Sequence, residues 1–295
     1  MTAGATHHAV GVEHRARLLA GIPVTERRID AAGIPTAVLE GGDGPPVVVL
    51  HGPGESAVNW RWTIPDLVAT HRVVAPDLPA HGSSGTGPAS LDADRVVAWL
   101  GDVLDATCVE PPILVGHALG GAIAARFAAR AAGHSLGRLR ALVLVDALGL
   151  ARFRPTPRFA LGLVRFTSRP SERSFERFMR QCSHDADALR DRMGADWAPF
   201  VAYNVGSARS PAMKQASQVL RRAGLPRIPA SELAGIDVPV TLIWGRHDRA
   251  NRVRVAERAA RRYGWALHVI DVAADDPARD QPEAFLRALR AALGS

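Results

Sequence analysis

The stretch Ile113-Leu114-Val115-Gly116-His117-Ala118-Leu119-Gly120-Gly121 constrains this chain more than any other. A short apolar run bounded by Pro112 and Gly116 reads as a strand buried on both faces of a sheet. The Ala-rich segment Gly120–Ala132 behind it reads as a helix. Only a tight turn separates the two. Gly116 and Gly120 flank its apex, Ala118, and leave almost no room for side chains where strand and helix come together.

The same alternation recurs on both sides. Val24–Ile29 and Pro35–Leu39 read as strands joined at Ala32-Gly33, and Pro46–Leu50 as a fully apolar strand. A helix is expected around Trp60–Thr70, a strand from Arg72, an amphipathic helix over Leu91–Ala106, and a strand from Leu139 to Val145 that ends at Asp146. Pro239–Trp244 and Ala266–Val272 read as later strands, Val253–Tyr263 and Pro282–Leu293 as helices. This rhythm predicts an α/β fold: a doubly wound, mostly parallel, eight-stranded sheet. It breaks between 150 and 232, where prolines are frequent, basic residues outnumber acidic ones by fifteen to seven, and six of the eight phenylalanines fall. The expected organisation is an N-terminal arm over 1–21 with a short helix near Val12–Leu19, a core over 22–149, a helical cap insertion over 150–232, and the rest of the core over 233–295.

Composition narrows the function classes. The net charge is +7, yet Lys214 is the single lysine among 36 basic residues. That skew towards arginine fits base composition better than a nucleic-acid ligand. No nucleic-acid module is visible, and the arginines are expected to alternate with acids on helical faces. No apolar run is long enough to span a bilayer, and no signal-peptide core stands at the N-terminus. Cys108 and Cys182 fit no metal or redox spacing, so two reduced thiols in a cytoplasmic protein are expected. With no nucleotide loop, metal-ligand cluster or cofactor motif, no cofactor and no metal is expected. The partner expected is a small molecule; nothing in the sequence specifies an oligomeric state.

Five motifs, in order, resemble those of the α/β-hydrolase fold superfamily: His51-Gly52, the turn from Asp77 to Ser84, the Gly116–Gly121 elbow, Trp244–Asp248, and Gln281-Pro282-Glu283-Ala284-Phe285. The elbow is similar to the Gly-x-Ser-x-Gly nucleophile elbow, with Ala118 where the family carries its serine. The resemblance implies a serine, a histidine and an acid acting together. Asp248 matches the acid position. The histidine position, before the Gln-Pro-Glu-Ala-Phe motif, holds Asp275, and His268 lies too far down its strand to substitute. Because the histidine and its flanking glycines differ as well, Ala118 reads as one part of a concerted divergence. The oxyanion N–H groups would come from Leu119 and the loop Gly52-Pro53-Gly54, but Pro53 has no N–H.

The candidate catalytic residues are therefore Asp248, Asp275 and His117. A structural role is the alternative for His117, and also for His51, His81, His247 and the helix-start residue Glu55. Asp248 and Asp275 could share a proton, or Asp275 could pair with Arg279. The pocket is expected to include Gly52, Pro53, Gly54, Ala118 and Leu119. Trp60, Phe153, Phe159, Phe166, Phe178 and Trp197 are the candidate substrate-binding residues, suited to a large aromatic molecule. Three functions remain open. One is a cofactor-free, non-hydrolytic enzyme of the kind that tailors bacterial natural products by cyclisation, Michael- or aldol-type C–C bond formation, or elimination. The others are a ligand-binding or partner-stabilising protein without chemistry, and a hydrolase with an atypical catalytic group.

Overall fold

The structure is a computed structural model that describes residues 12–87, 90–131 and 138–294. Helix α1 spans 12–19, as expected for the arm, whose first eleven residues lie outside the described ones. The hairpin β1 (Thr25–Ala31) and β2 (Ile34–Gly41) follows, then β3 (Pro46–Leu50). The helix expected over Trp60–Thr70 is instead broken. A 3₁₀ turn covers Ala57–Trp62 and a single α-turn, α2, covers Ile64–Leu67. Pro65 explains the break, since a proline cannot continue the helix of the residues before it. Next come β4 (Arg72–Pro76), α3 (Ala93–Thr107), β5 (Ile113–His117), α4 (Ala118–Ala131) and β6 (Ala141–Val145).

Between β6 and β7 (Val240–Gly245) the described chain is helical. It runs through α5 (Pro157–Ser168), α6 (Glu172–Cys182), α7 (Ala186–Met193), α8 (Trp197–Arg209), α9 (Met213–Val219) and α10 (Ala230–Ala234). The chain closes with α11 (Arg254–Tyr263), β8 (Ala266–Ile270), α12 (Pro277–Asp280) and α13 (Pro282–Leu293).

The eight strands lie in the order β1-β2-β4-β3-β5-β6-β7-β8. Those from β3 onward pair parallel, and β2 is antiparallel to both its neighbours. Strict alternation sorts the central side chains. Val48, Leu114, Leu142 and Leu144 face Trp99 of α3 and the inner side of α4. Val47, Val49, Val115, Val143 and Val145 face Phe285 and Leu289 of α13. A third cluster, with Phe159, Phe166, Phe175, Trp197 and Phe200, belongs to the inserted helices. The chain leaves β3 for β4 on one side and returns to β5 on the other. A crevice therefore opens at the carboxyl ends of β3 and β5, where open α/β sheets bind ligands.

Candidate active site

The elbow is built as its sequence requires. Ala118 stands between strand and helix with φ +44, a left-handed conformation that a side chain adopts only under constraint. The constraint is contact. A Cβ on Gly120 would lie 2.5 Å from the Leu50 carbonyl oxygen, and one on Gly116 would lie 2.6 Å from Gly120.

Above the elbow lies a cavity of about 240 Å³ between the strand ends and the inserted helices. Ala118, His117, Pro53, Gly54 and Glu55 line its floor, with Asp146, Asp248 and Asp275 from the later strand ends. Phe153, Phe159, Phe166 and Phe178 line its upper part, with Phe166 and Phe178 stacked at 5.9 Å. Four expected pocket residues lie elsewhere. Trp60 packs in the core against Phe285 at 6.2 Å. Trp197 is buried among the inserted helices, against Phe200 at 5.9 Å. Gly52 stands behind the wall, where its N–H donates to Glu55 Oε2 at 2.8 Å. The Leu119 side chain belongs to the sheet–helix core, so only its backbone at the start of α4 is placed near the site.

Two charge clusters share this cavity. In the first, His117 Nδ1 donates to Glu55 Oε2 at 3.3 Å and Nε2 to the Asp275 carbonyl at 2.6 Å. Burial opposes a charged ring, but Glu55 and Asp276 outweigh it and raise His117 to about 10. Burial likewise opposes the Glu55 carboxylate, and His117 with Arg279 holds it down at about 2. Arg279, fully buried, lies 3.7 Å from Glu55, 3.2 Å from Asp276 and 3.6 Å from Asp275. His117 is thus an imidazolium with both N–H groups engaged, and Glu55 lines the cavity floor rather than acting as a helix-start residue. Glu55, His117 and Asp276 bring ligand-type atoms within 4.8 Å of one another. A guanidinium already supplies the positive charge there, and the histidine keeps its proton, so the donor set does not suit a cation.

The second cluster brings in an acid outside the expected set. Asp146, the residue after β6, has φ +43 and is buried. Its Oδ1 accepts from the Gly245 N–H at 3.0 Å. Asp248 Oδ1 accepts from the N–H groups of Ala250 and Asn251, each at 2.7 Å. The remaining oxygens, Asp146 Oδ2 and Asp248 Oδ2, are buried with no hydrogen-bond partner among the described residues, and each carboxyl shifts the titration of the other. Burial, then the Asp248 charge, raises Asp146 well above the carboxylate range. Burial raises Asp248 to about 7 despite its two N–H donors. Burial and like-charge repulsion keep the pair from ionising fully. Asp146 is thus the carboxyl that interacts with Asp248, and of the two roles open to Asp275 the structure shows the pairing with Arg279. Asp275 turns to Arg279, although its charge still reaches both acids. A carboxylate immediately after an apolar strand was the signal in the sequence for Asp146.

The other expected histidines are structural. His51 Nδ1 donates to the Gly52 carbonyl at 2.8 Å and Nε2 accepts from Leu78 N–H at 2.9 Å. Burial holds both His51 and His81 down at about 4, so both are neutral. His247 is exposed and stacks near His184, ring centres 4.7 Å apart. Cys108 and Cys182 are free thiols.

A family model described as alpha/beta hydrolase fold matches residues 45–274. The chain belongs to that family. Among its relatives in the alpha/beta hydrolase fold family, a 2-hydroxymuconate semialdehyde hydrolase of Pseudomonas sp. (strain CF600) is 40% identical over 44% of this chain and 46% of its own. A 2-hydroxy-6-oxo-2,4-heptadienoate hydrolase of Pseudomonas putida is 37% identical over 42% of this chain and 45% of its own. The chain thus matches less than half the length of these two relatives. A solved meta-cleavage product hydrolase of Pseudomonas fluorescens, a Ser→Ala mutant complexed with acetates, superposes with a TM-score of 0.75 at 25% identity, covering 91% of this chain and 97% of that one. Among the described residues no helix is long and apolar enough to cross a membrane.

Proposed function

We propose that this chain is a cofactor-independent, non-hydrolytic enzyme that moves protons on an enolisable, aromatic small molecule. Such chemistry leads to cyclisation, Michael- or aldol-type C–C bond formation, or elimination. The observation that carries this reading is the Asp146–Asp248 carboxyl pair in the wall of a phenylalanine-lined cavity whose elbow apex is the methyl of Ala118. A methyl cannot attack a carbonyl, and the imidazolium of His117 cannot act as a base, so the usual triad chemistry has neither nucleophile nor base. A carboxylate poised near neutrality, backed by a protonated neighbour, suits removal of a proton beside a carbonyl. Asp248 takes the proton while Asp146 keeps its own. The positive charges of His117 and Arg279 favour developing enolate charge in a water-poor site. The names of the relatives denote unsaturated oxo-acids, and enolisable substrates of that class suit this pair.

The test reads proton removal itself, whatever product follows. Aryl-substituted unsaturated ketones are incubated with the protein in D₂O, and deuterium at the carbon beside the carbonyl is read by mass spectrometry. Wild type is expected to accelerate exchange, and Asp248→Asn to lower it by about 10²-fold or more. Equal exchange in both proteins overturns the proposal. The names of the relatives also favour a second reading, in which Asp248 activates water as a hydrolytic base. Incorporation of oxygen-18 from water into a cleaved product would select it.

A further inference from the structure

A second concavity, of about 630 Å³, lies where the start of the inserted segment, the residues before α10, and α11 meet. Arg252, Arg254, Arg258 and Arg262 line it from α11 and the residues just before it. Arg152 and Arg154 line it from the segment after β6, and Arg227 from the residues before α10. All seven are exposed, and none is ion-paired among the described residues. Among the described residues no Asp or Glu lines the groove. Elsewhere on the surface Arg27, Arg130, Arg138 and Arg246 each sit on a carboxylate. The expected alternation of arginines with acids therefore fails on α11, whose single acid, Glu257, is not part of the groove.

These charges oppose the local preferences of the helix. Arg254, Arg258 and Arg262 stand four residues apart on one stripe, where like charges repel. Arg252 and Arg254 sit at the helix N-terminus, the positive end of its dipole. A sequence that accepts such conflicts at one place marks a functional surface. The floor between the arginines is apolar: Leu150, Ala151, Val255, Ala259 and the ring of Tyr263, which packs on Trp265 at 4.7 Å. An open basic stripe would suit a nucleic acid or a membrane. A bounded concavity with an apolar floor suits a small molecule.

We propose that this groove binds an organic polyphosphate of nucleotide size. Its phosphates engage the α11 arginines and those of the facing wall, since the guanidinium fork matches phosphate oxygens two at a time. Its ring lies on Val255, Ala259 and Tyr263. The site is separate from the reaction proposed above. It touches the cavity through Asn251, which lines both and donates its N–H to Asp248.

The full chain is titrated calorimetrically with ADP, and separately with inorganic pyrophosphate and a short DNA duplex. Saturable one-to-one ADP binding is expected, tighter than that of pyrophosphate. Arg254→Glu/Arg258→Glu should weaken it at least about tenfold, and Arg173→Glu/Arg177→Glu, the same charge change on exposed α6, by less than about twofold. Because a glutamate pair could disturb α11, Arg152→Gln/Arg154→Gln on the facing wall serves as a second variant with the same expected loss. ADP should raise the Tm of wild type and of neither groove variant. Absence of ADP binding, an equal loss in the α6 control, or tighter binding of the DNA duplex than of ADP would overturn the proposal.

Discussion

At the scale of single residues, the site turns on which groups keep their protons. His117 donates from both ring nitrogens and is held positive by Glu55 and Asp276, so it cannot accept a proton from a neighbouring hydroxyl. Asp275 is drawn to Arg279 at 3.6 Å. Introducing a serine at 118 therefore leaves it without a base. Ala118→Ser is expected to show no burst with p-nitrophenyl acetate and no labelling by a fluorophosphonate, while proton exchange on the ketone substrates falls only modestly from crowding. Labelling at rates typical of serine hydrolases would mean that a competent base remains near residue 118.

At the scale of the element, β5 and α4 form one unit with the strand that precedes the Gly52 loop. Gly120 packs against the Leu50 and His51 carbonyls, which are backbone atoms that cannot swing aside. Gly120→Ala should therefore lower stability by about 2–3 kcal/mol through overpacking, read as a lower urea midpoint with an unchanged slope. A wild-type midpoint would show that the elbow tolerates more space than its geometry allows. The elbow was legible in sequence because its cause is local: glycine spacing, an apolar run and an Ala-rich follower. The 3₁₀ turn over Ala57–Trp62 was not, although Pro65 was in plain view, because the apolar spacing of that segment is also that of a helix.

At the scale of the whole molecule, the buried charges shape stability against pH. His117, raised from 6.5 to about 10, contributes stability that is complete below 6.5 and lost as pH rises through 10. Glu55, lowered from 4.5 to about 2, contributes stability present above 4.5 and lost as pH falls through 2. Asp248, raised from 3.8 to about 7, favours the native state below 3.8 and gives up that contribution as pH rises through 7. Stability should therefore fall from pH 5.5 towards 8.5. Asp248→Asn, which keeps an oxygen for the Ala250 and Asn251 N–H groups, should reduce that fall by an amount on the order of 2 kcal/mol. Calorimetric melting of both proteins across this range checks it, and parallel curves would show that Asp248 does not titrate there.

The sequence by itself determined the sheet, the elbow with Ala118 at its apex and the family, because short-range patterns carry all of these. It also placed aromatic residues in the inserted segment, but not which of them face the cavity. Phe153, Phe159, Phe166 and Phe178 line the cavity, while Trp60 and Trp197 pack away from it, and composition is blind to that difference. Only the tertiary structure decided which acid interacts with Asp248. Asp146 and Asp248 are about a hundred residues apart in the chain, and they meet because β6 and β7 are parallel neighbours whose carboxyl ends lie side by side. The seven arginines of the second groove converge for the same kind of reason, from three segments that only the packed fold brings together. The charge state of each group then follows from burial and partners, which exist only once the chain has closed around them.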